Sequence, residues 1–186
     1  MPLKPGARIL AFDDTPFRRG VDRKTLVIGV MTRGPIVLEA VFKEEIQVDG
    51  IDSTQKICKI ANSHPARDQA KLIILHGTVF GGLNVVNLRQ LHEETARPVA
   101  SIVLKPPSNI RLLAAARSIL GSSSRIEAVL RAQPPFQKVF LRKRPIYVSY
   151  LGLEREEMIR VLRRLCILSS YPEPLRIACL IASALR

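Results

Sequence analysis

Short apolar runs alternate along the chain with segments whose apolar positions recur at helical spacing. The runs predict strands, because turn residues bound most of them. These predicted strands cover residues 8–13, 25–31, 36–48, 71–75, 98–104, 137–141 and 146–150. The segments of helical spacing predict helices at residues 53–62, 85–94, 153–168 and from 172 onward, with two more within residues 108–132.

The predicted strand at residues 71–75 (KLIIL) is apolar throughout, which is typical of a parallel strand buried on both faces of a sheet. Three strands precede it, and strands then alternate with helices along much of the remaining chain. This order favours one α/β domain over residues 1–186, with helices on both faces of its sheet.

Charge changes this picture, because the chain carries a formal net charge of +13 at pH 7. A surplus of that size favours an anionic partner, and nucleic acid is the first one to test. The alternative is a charge that only keeps the protein soluble, for example in a heat-adapted organism. Basic residues concentrate at Arg18, Arg19, Arg23 and Lys24, at Lys138 with Arg142, Lys143 and Arg144, and at Arg160, Arg163 and Arg164. We predict that Arg18, Arg19 and Lys24 bind nucleic acid, since they follow closely on Asp13.

The three cysteines, Cys58, Cys166 and Cys179, lie in apolar segments and show neither a CxxC pair nor metal-ligand spacing. An odd number of this kind predicts buried free thiols in a reducing compartment. The first apolar run stops at Asp13 and Asp14, too early for a signal peptide, and no run approaches the ~18 apolar residues of a membrane span. We therefore expect a cytoplasmic protein without a membrane partner.

Hydrolysis of phosphodiester bonds by metal ions requires hard oxygen ligands, which in open α/β sheets converge beyond the strand ends. The candidates are Asp13 and Asp14 after the first strand, Asp49 and Asp52 after the third, and His76 after the fourth. The alternative for Asp14 and Asp49 is a turn, and for Asp52 a helix cap. An acid that ends an apolar strand is costly to bury without a partner, which favours a site role for Asp13.

A glycine-rich segment, residues 77–84, follows the fourth predicted strand and is called the glycine loop below. Asn84 can cap the helix predicted after it, and the backbone N–H groups around Gly81 and Gly82 would then be free to bind a phosphate. The alternative is that the glycines only let the chain turn and pack closely.

Four segments together resemble domain-of-unknown-function family 99, a mostly archaeal and uncharacterised family that is similar to endonuclease V. They are residues 12–17 (FDDTPF), 48–54 (VDGIDST), 77–86 (GTVFGGLNVV) and 172–178 (PEPLRIA), in order along nearly the whole chain. The resemblance implies a ribonuclease H-like fold with a five-stranded mixed sheet. It also implies that Asp13 and residue 76 lie on adjacent strands, at positions where endonuclease V holds metal-binding carboxylates.

The chain departs from that family at residue 76, where His76 replaces the usual aspartate, and at Asn87, a position that is often acidic. Histidine can bind a softer metal such as Mn²⁺ or Zn²⁺, but it suits Mg²⁺ poorly and removes a negative charge beside Asp13. A metal site at Asp13 and His76 would thus bind Mg²⁺ or Mn²⁺ weakly, and no other cofactor is expected. The alternative is that His76 only hydrogen-bonds Asp13, without a metal.

Three functions stay open on the sequence alone. The first is a nucleic-acid-binding protein on an endonuclease V-like scaffold, with an eroded metal site and little or no catalysis. The second is a metal-dependent nuclease acting on DNA or RNA through Asp13, Asp14, His76 and either Asp49 or Asp52. The third is a protein-interaction module whose basic surface is incidental.

Overall fold

A computed structural model describes residues 3–4, 6–141 and 144–185 of the chain. Its strands are β1 (Arg8–Asp14), β2 (Lys24–Arg33), β3 (Val37–Gln47), β4 (Ala70–His76), β5 (Val79–Phe80), β6 (Asn84–Val85), β7 (Val99–Val103), β8 (Gln137–Phe140) and β9 (Pro145–Leu151). Its helices are α1 (Ser53–Ala61), α2 (Ala66–Gln69), α3 (Leu88–Thr95), α4 (Asn109–Leu120), α5 (Ser124–Ala132), α6 (Arg155–Leu165) and α7 (Glu173–Ala184). Each predicted strand and helix has a counterpart here. The basic turn predicted at Arg142 and Lys143 lies outside the described residues.

The main sheet has the strand order β3-β2-β1-β4-β7-β9-β8. β1, β4 and β7 run parallel, and every other neighbouring pair in this sheet is antiparallel. The predicted mixed α/β sheet is thereby confirmed. The sheet has seven strands rather than the implied five, because the hairpin of β8 and β9 pairs with β7 and extends the sheet beyond it.

The sheet is covered on both faces, which explains why its central strands are apolar at successive positions. In β1, Ile9 and Ala11 pack towards α6 and α7, whereas Leu10 and Phe12 pack towards α1 and α3. The fully buried Phe12 ring leaves no room for a side chain at Gly29 on β2, where an added Cβ would lie 2.7 Å from the ring. Removing a core ring of this kind typically costs about 3–5 kcal/mol of folding free energy.

A third apolar cluster joins α4 and α5 to the end of the glycine loop. Leu83 and Val85 pack there against residues such as Ala116 of α4 and Ile126 of α5. The two helices thus form a layer over the loop and hold it beside the ends of the central strands.

The start of α3 differs from the prediction. Asn84 and Val85 belong to β6, which pairs with β5, and the helix begins at Leu88. The cap is Asn87, whose side chain accepts hydrogen bonds from the backbone of Arg89 and Gln90. The predicted capping role of Asn84 is therefore wrong, because its amide is engaged elsewhere.

Among the described residues, no helix combines the length and the apolar character needed to cross a membrane.

Candidate functional site

Two central parallel strands bring Asp13 and His76 together. Phe12 of β1 is in register with Leu75 of β4, so the next residue of each strand lies at the same end of the sheet. His76 Nδ1 and Asp13 Oδ2 are 3.1 Å apart, a hydrogen-bonding distance. We call this end of the sheet the β1–β4 edge. Side chains at such strand ends are well placed to act on a ligand.

The pair is half-buried and charge-assisted. The Asp13 side chain is 13% exposed and that of His76 is 40% exposed. The hydrogen bond with Asp13 raises the pKa of His76 above its ordinary value, and partial burial opposes that rise. The other carboxylate oxygen of Asp13, Oδ1, accepts a hydrogen bond from the backbone N–H of Asp14. Oδ2 is thus turned towards His76.

Asp14 connects the β1–β4 edge to the glycine loop. Its Oδ2 accepts a hydrogen bond of 2.8 Å from the backbone N–H of Gly81. Burial raises the pKa of Asp14 to about 6, and the neighbouring charge of Asp13 contributes to the rise. A carboxyl group with that pKa exchanges its proton near neutral pH, which is a property common at functional sites.

Cys179, on α7, also reaches this edge. Its Sγ is 3.4 Å from His76 Nδ1, and one potential ligand atom each from Asp13, His76 and Cys179 lies within 4.8 Å of the others. Burial raises the pKa of the Cys179 thiol to about 12, and its hydrogen bond with Asp13 adds to the rise. The group is therefore an uncharged thiol and a poor nucleophile. A Cys–His–Asp catalytic arrangement is also excluded by geometry, since both partners face the same ring nitrogen of His76.

Tyr171 completes the surroundings of His76. The two rings meet edge to face, with 5.6 Å between centroids and an interplanar angle of 69°. The Tyr171 hydroxyl is buried and has no hydrogen-bond partner of normal geometry among the described residues. Burial, together with the nearby Cys179 and Asp13, raises the pKa of Tyr171 far above its ordinary value, so it remains a potential donor.

Cys179 and Tyr171 were not among the site residues predicted from the sequence. All three cysteines are free, as predicted, but Cys179 is only half-buried and lies in the site. Cys179 is 103 residues from His76, so no local ligand spacing exists to reveal the contact. The one available signal was that Tyr171 and Cys179 flank the segment 172–178, which carries part of the family resemblance.

Asp49 and Asp52, by contrast, stabilise the glycine loop. Asp49 Oδ1 accepts hydrogen bonds from the Leu83 backbone at 2.8 Å and from Arg19 Nη2 at 3.3 Å. Asp52 Oδ1 accepts from Asn84 Nδ2 at 2.7 Å and from the Gln47 backbone at 3.1 Å. None of these contacts involves Asp13 or His76. β3 lies two strands away from β1 in the sheet, and a role for Asp49 or Asp52 beside Asp13 and His76 stays a prediction.

The glycine loop does not present the expected phosphate cradle. The N–H groups of Gly81 and Leu83 are already bound by Asp14 and Asp49. Asn84 is fully buried, and its amide also binds the Ser53 and Gln47 backbones, so it cannot contact nucleic acid in this conformation. Residue 82 must be a glycine for two reasons. Its φ is +89°, and an added Cβ would lie 2.3 Å from Asp49 Oδ1. The alternative role of the glycines, close packing, matches this geometry.

The three basic residues predicted to bind nucleic acid, Arg18, Arg19 and Lys24, have exposed side chains near the same end of the sheet. Arg18 pairs with Asp22, Arg19 with Asp49 and Lys24 with Glu45. Exposed ion pairs of this kind contribute little stability, so these cations can exchange their partners for phosphates. Arg18 and Lys24 line a cleft of about 500 Å³ that also includes Thr15, the residue after Asp14.

Comparisons with known proteins agree with this architecture. The sequence profile of a family described as Endonuclease dU matches residues 5–186. A UPF0215 protein of Methanopyrus kandleri is 34% identical over 182 residues, which are 97% of this chain and 92% of that protein. The crystal structure of a protein from Archaeoglobus fulgidus has 29% identity and a TM-score of 0.84, covering 96% of this chain and 98% of that one.

Endonuclease V from Ciona intestinalis, solved with DNA that contains an inosine, is a more distant structural neighbour. It has 11% identity and a TM-score of 0.63, with 95% of this chain and 84% of that chain covered. Similarity at this level of identity shows the fold alone. The predicted endonuclease V-like, ribonuclease H-like fold is thus confirmed.

Proposed function

This chain belongs to the endonuclease dU family, and from that premise we propose that it binds nucleic acid at the β1–β4 edge. The scaffold is endonuclease V-like, and its Mg²⁺ centre is eroded, so that cleavage with Mg²⁺ is weak or absent. Salt-sensitive binding to DNA or RNA is the expected primary activity.

The observation that carries the proposal is the location of exposed positive charge beside the half-buried acids. Arg18 and Lys24 line the cleft that begins at Thr15, directly after Asp13 and Asp14. A phosphate backbone that entered this cleft would exchange the weak ion pairs of these cations for phosphate contacts. The net charge of +13 favours the same partner over long range.

The donor atoms at the β1–β4 edge do not fit Mg²⁺. This ion requires nearly octahedral oxygen ligands, commonly from one or two carboxylates with waters. Here Asp13 Oδ2 faces an imidazole nitrogen at 3.1 Å, and the next donor is a sulfur atom. Asp14 uses one oxygen to hold Gly81. The replacement of an acid by His76 therefore removes both the charge and the type of ligand that Mg²⁺ needs.

A metal-dependent endonuclease is the second candidate, and two observations favour it. Asp13, Asp14 and His76 meet at one edge, and Asp14 has a pKa of about 6, suited to proton transfer near neutral pH. The family to which the chain belongs is described as Endonuclease dU. DNA that contains deoxyuridine is therefore the first substrate to test, followed by DNA that contains inosine.

A binding and cleavage assay separates the candidates. Fluorescence anisotropy with deoxyuridine, inosine and unmodified oligonucleotides should show binding at ~50 mM salt that weakens steeply as salt rises. The same samples, incubated with Mg²⁺ or Mn²⁺, should show little product. Cleavage with Mg²⁺ that Asp13→Asn abolishes would establish the endonuclease instead. Absence of binding at low salt would leave the protein-interaction module, with an incidental basic surface, as the better function.

A further inference from the structure

We propose that Asp13, His76 and Cys179 form a site for a borderline-soft divalent cation. Zn²⁺ is the ion that fits best, and Mg²⁺ does not fit. The inference rests on the proposed function for its location beside a nucleic-acid strand. It explains why two unusual donors, an imidazole and a thiol, converge on Asp13 near the end of β1.

The spacing of the donor atoms is close to that of a tetrahedral site. Zn–N, Zn–O and Zn–S bonds of about 2.0, 2.1 and 2.3 Å place neighbouring tetrahedral ligands about 3.3 Å apart for N and O, and about 3.5 Å apart for N and S. His76 Nδ1 is 3.1 Å from Asp13 Oδ2 and 3.4 Å from Cys179 Sγ. Small side-chain movements would therefore admit the ion between them, with the three donors already within 4.8 Å of one another.

The chemistry of the donors selects the type of metal. One carboxylate, one imidazole and one sulfur are ligands that Zn²⁺ accepts together, whereas sulfur is not a ligand for Mg²⁺. Binding displaces the thiol proton, and the resulting thiolate and the Asp13 carboxylate neutralise the two positive charges of the ion. Three protein ligands leave a fourth position open, as in zinc sites that bind water or substrate.

The residues around the donors are arranged to support such a site. Metal ligands are commonly oriented by hydrogen bonds from groups behind them. Asp13 is held in this way by the backbone N–H of Asp14. The buried Tyr171 hydroxyl has no hydrogen-bond partner of normal geometry among the described residues, lies near Cys179 and Asp13, and can donate to the sulfur or to a bound water.

Absorption spectroscopy with Co²⁺ tests the site without nucleic acid. The full chain, freed of metal by a chelator and kept reduced, should bind one Co²⁺ with tetrahedral visible bands and a near-ultraviolet thiolate-to-cobalt charge-transfer band. Zn²⁺ should displace Co²⁺ at equimolar amounts, and Mg²⁺ should not displace it even in large excess. Absence of the charge-transfer band, or displacement by Mg²⁺, would overturn the inference and leave a metal-free Asp13–His76 hydrogen bond.

Variants assign the band to its ligand. Cys179→Ser should remove the charge-transfer band. It should also weaken Zn²⁺ binding by about tenfold to a hundredfold or more. Cys58→Ser, at a buried thiol in the cluster that contains α1, is the matched control and should keep both. A band that survives Cys179→Ser contradicts the site. Because these measurements contain no nucleic acid, their failure leaves the proposed binding function intact, and a normal Co²⁺ spectrum with no nucleic-acid binding would reject that function alone.

Discussion

His76 on β4 lies with its Nδ1 atom 3.1 Å from Oδ2 of Asp13 on β1, although 63 residues separate the two in sequence. The contact joins an imidazole to an acid at the end of two parallel central strands. This contact and the charged groups around it influence the metal affinity, the stability and the nucleic-acid binding expected of this protein.

Replacing His76 by aspartate should raise the affinity for Mg²⁺ by about 1–3 kcal/mol, because the change adds a negative charge and a hard oxygen ligand beside Asp13. Without metal the variant should be less stable than wild type, since two carboxylates would then repel each other across adjacent strands. Calorimetric titration and thermal unfolding measure the two effects. His64→Asp, which introduces the same charge at an exposed position, should leave Mg²⁺ affinity unchanged. If His76→Asp alters neither quantity, Asp13 and His76 are not neighbours.

Replacing Arg18 and Arg19 together by alanine should weaken nucleic-acid binding. The slope of log affinity against log salt should also become shallower, by about 0.7–0.9 for each phosphate that the variant no longer binds. Anisotropy titrations at several salt concentrations give both values. The control removes two exposed, ion-paired arginines elsewhere, through Arg67→Ala with Arg131→Ala. An equal loss of affinity in both double variants would show that only net charge matters, and that the cleft beside Thr15 is not the contact surface.

Replacing Asp14 by asparagine should stabilise the metal-free protein at neutral pH. Burial raises the pKa of Asp14 in the folded state to about 6, from an ordinary value of 3.8, so the folded protein binds this proton more tightly than the unfolded chain. The stability that the proton provides is complete below pH ~4 and is lost as the pH rises through ~6. Asparagine imitates the protonated form and keeps an oxygen acceptor for Gly81. Its advantage in urea unfolding should grow from near zero at pH ~4 to about 1–2 kcal/mol at pH ~7. A difference that does not depend on pH would contradict this account.

Replacing Gly82 by alanine should destabilise the glycine loop. The new methyl group would collide with Asp49 Oδ1 at 2.3 Å and with Arg19 Nη2 at 2.8 Å, in addition to the strain of φ +89°. Gly20→Ala is the matched control, because Gly20 has a φ of +80° but an added Cβ would have nothing within 4 Å. Urea unfolding should show a loss for Gly82→Ala that exceeds the loss for Gly20→Ala by about 1–3 kcal/mol. Equal losses would mean that the Asp49 contact adjusts without cost.

The regular elements were predictable because their signal is local. Apolar residues that recur at every position or every second position predict strands, and a spacing of three to four predicts helices, so neighbouring residues suffice. The same local signal placed Asp13 and His76 at strand ends, and the continuous apolar run 71–75 indicated a strand buried within a parallel sheet. The adjacency of the two strands, which the structure shows, was expected from the resemblance to a known family.

The composition of the site depends on contacts that no local pattern encodes. Asn84 has the right residue type for a helix cap, but its amide forms hydrogen bonds with Asp52, Gln47 and Ser53 once β3 and α1 pack against the glycine loop. Asp49 accepts hydrogen bonds from Leu83 and Arg19, because the packing around the glycine loop brings these donors near it. Cys179 reaches His76 only because α7 packs back across β1 and β2, late in the chain. Side-chain donors and acceptors bind the partners that the packed strands and helices bring near them, and for Asn84, Asp49 and Cys179 those partners are distant in sequence.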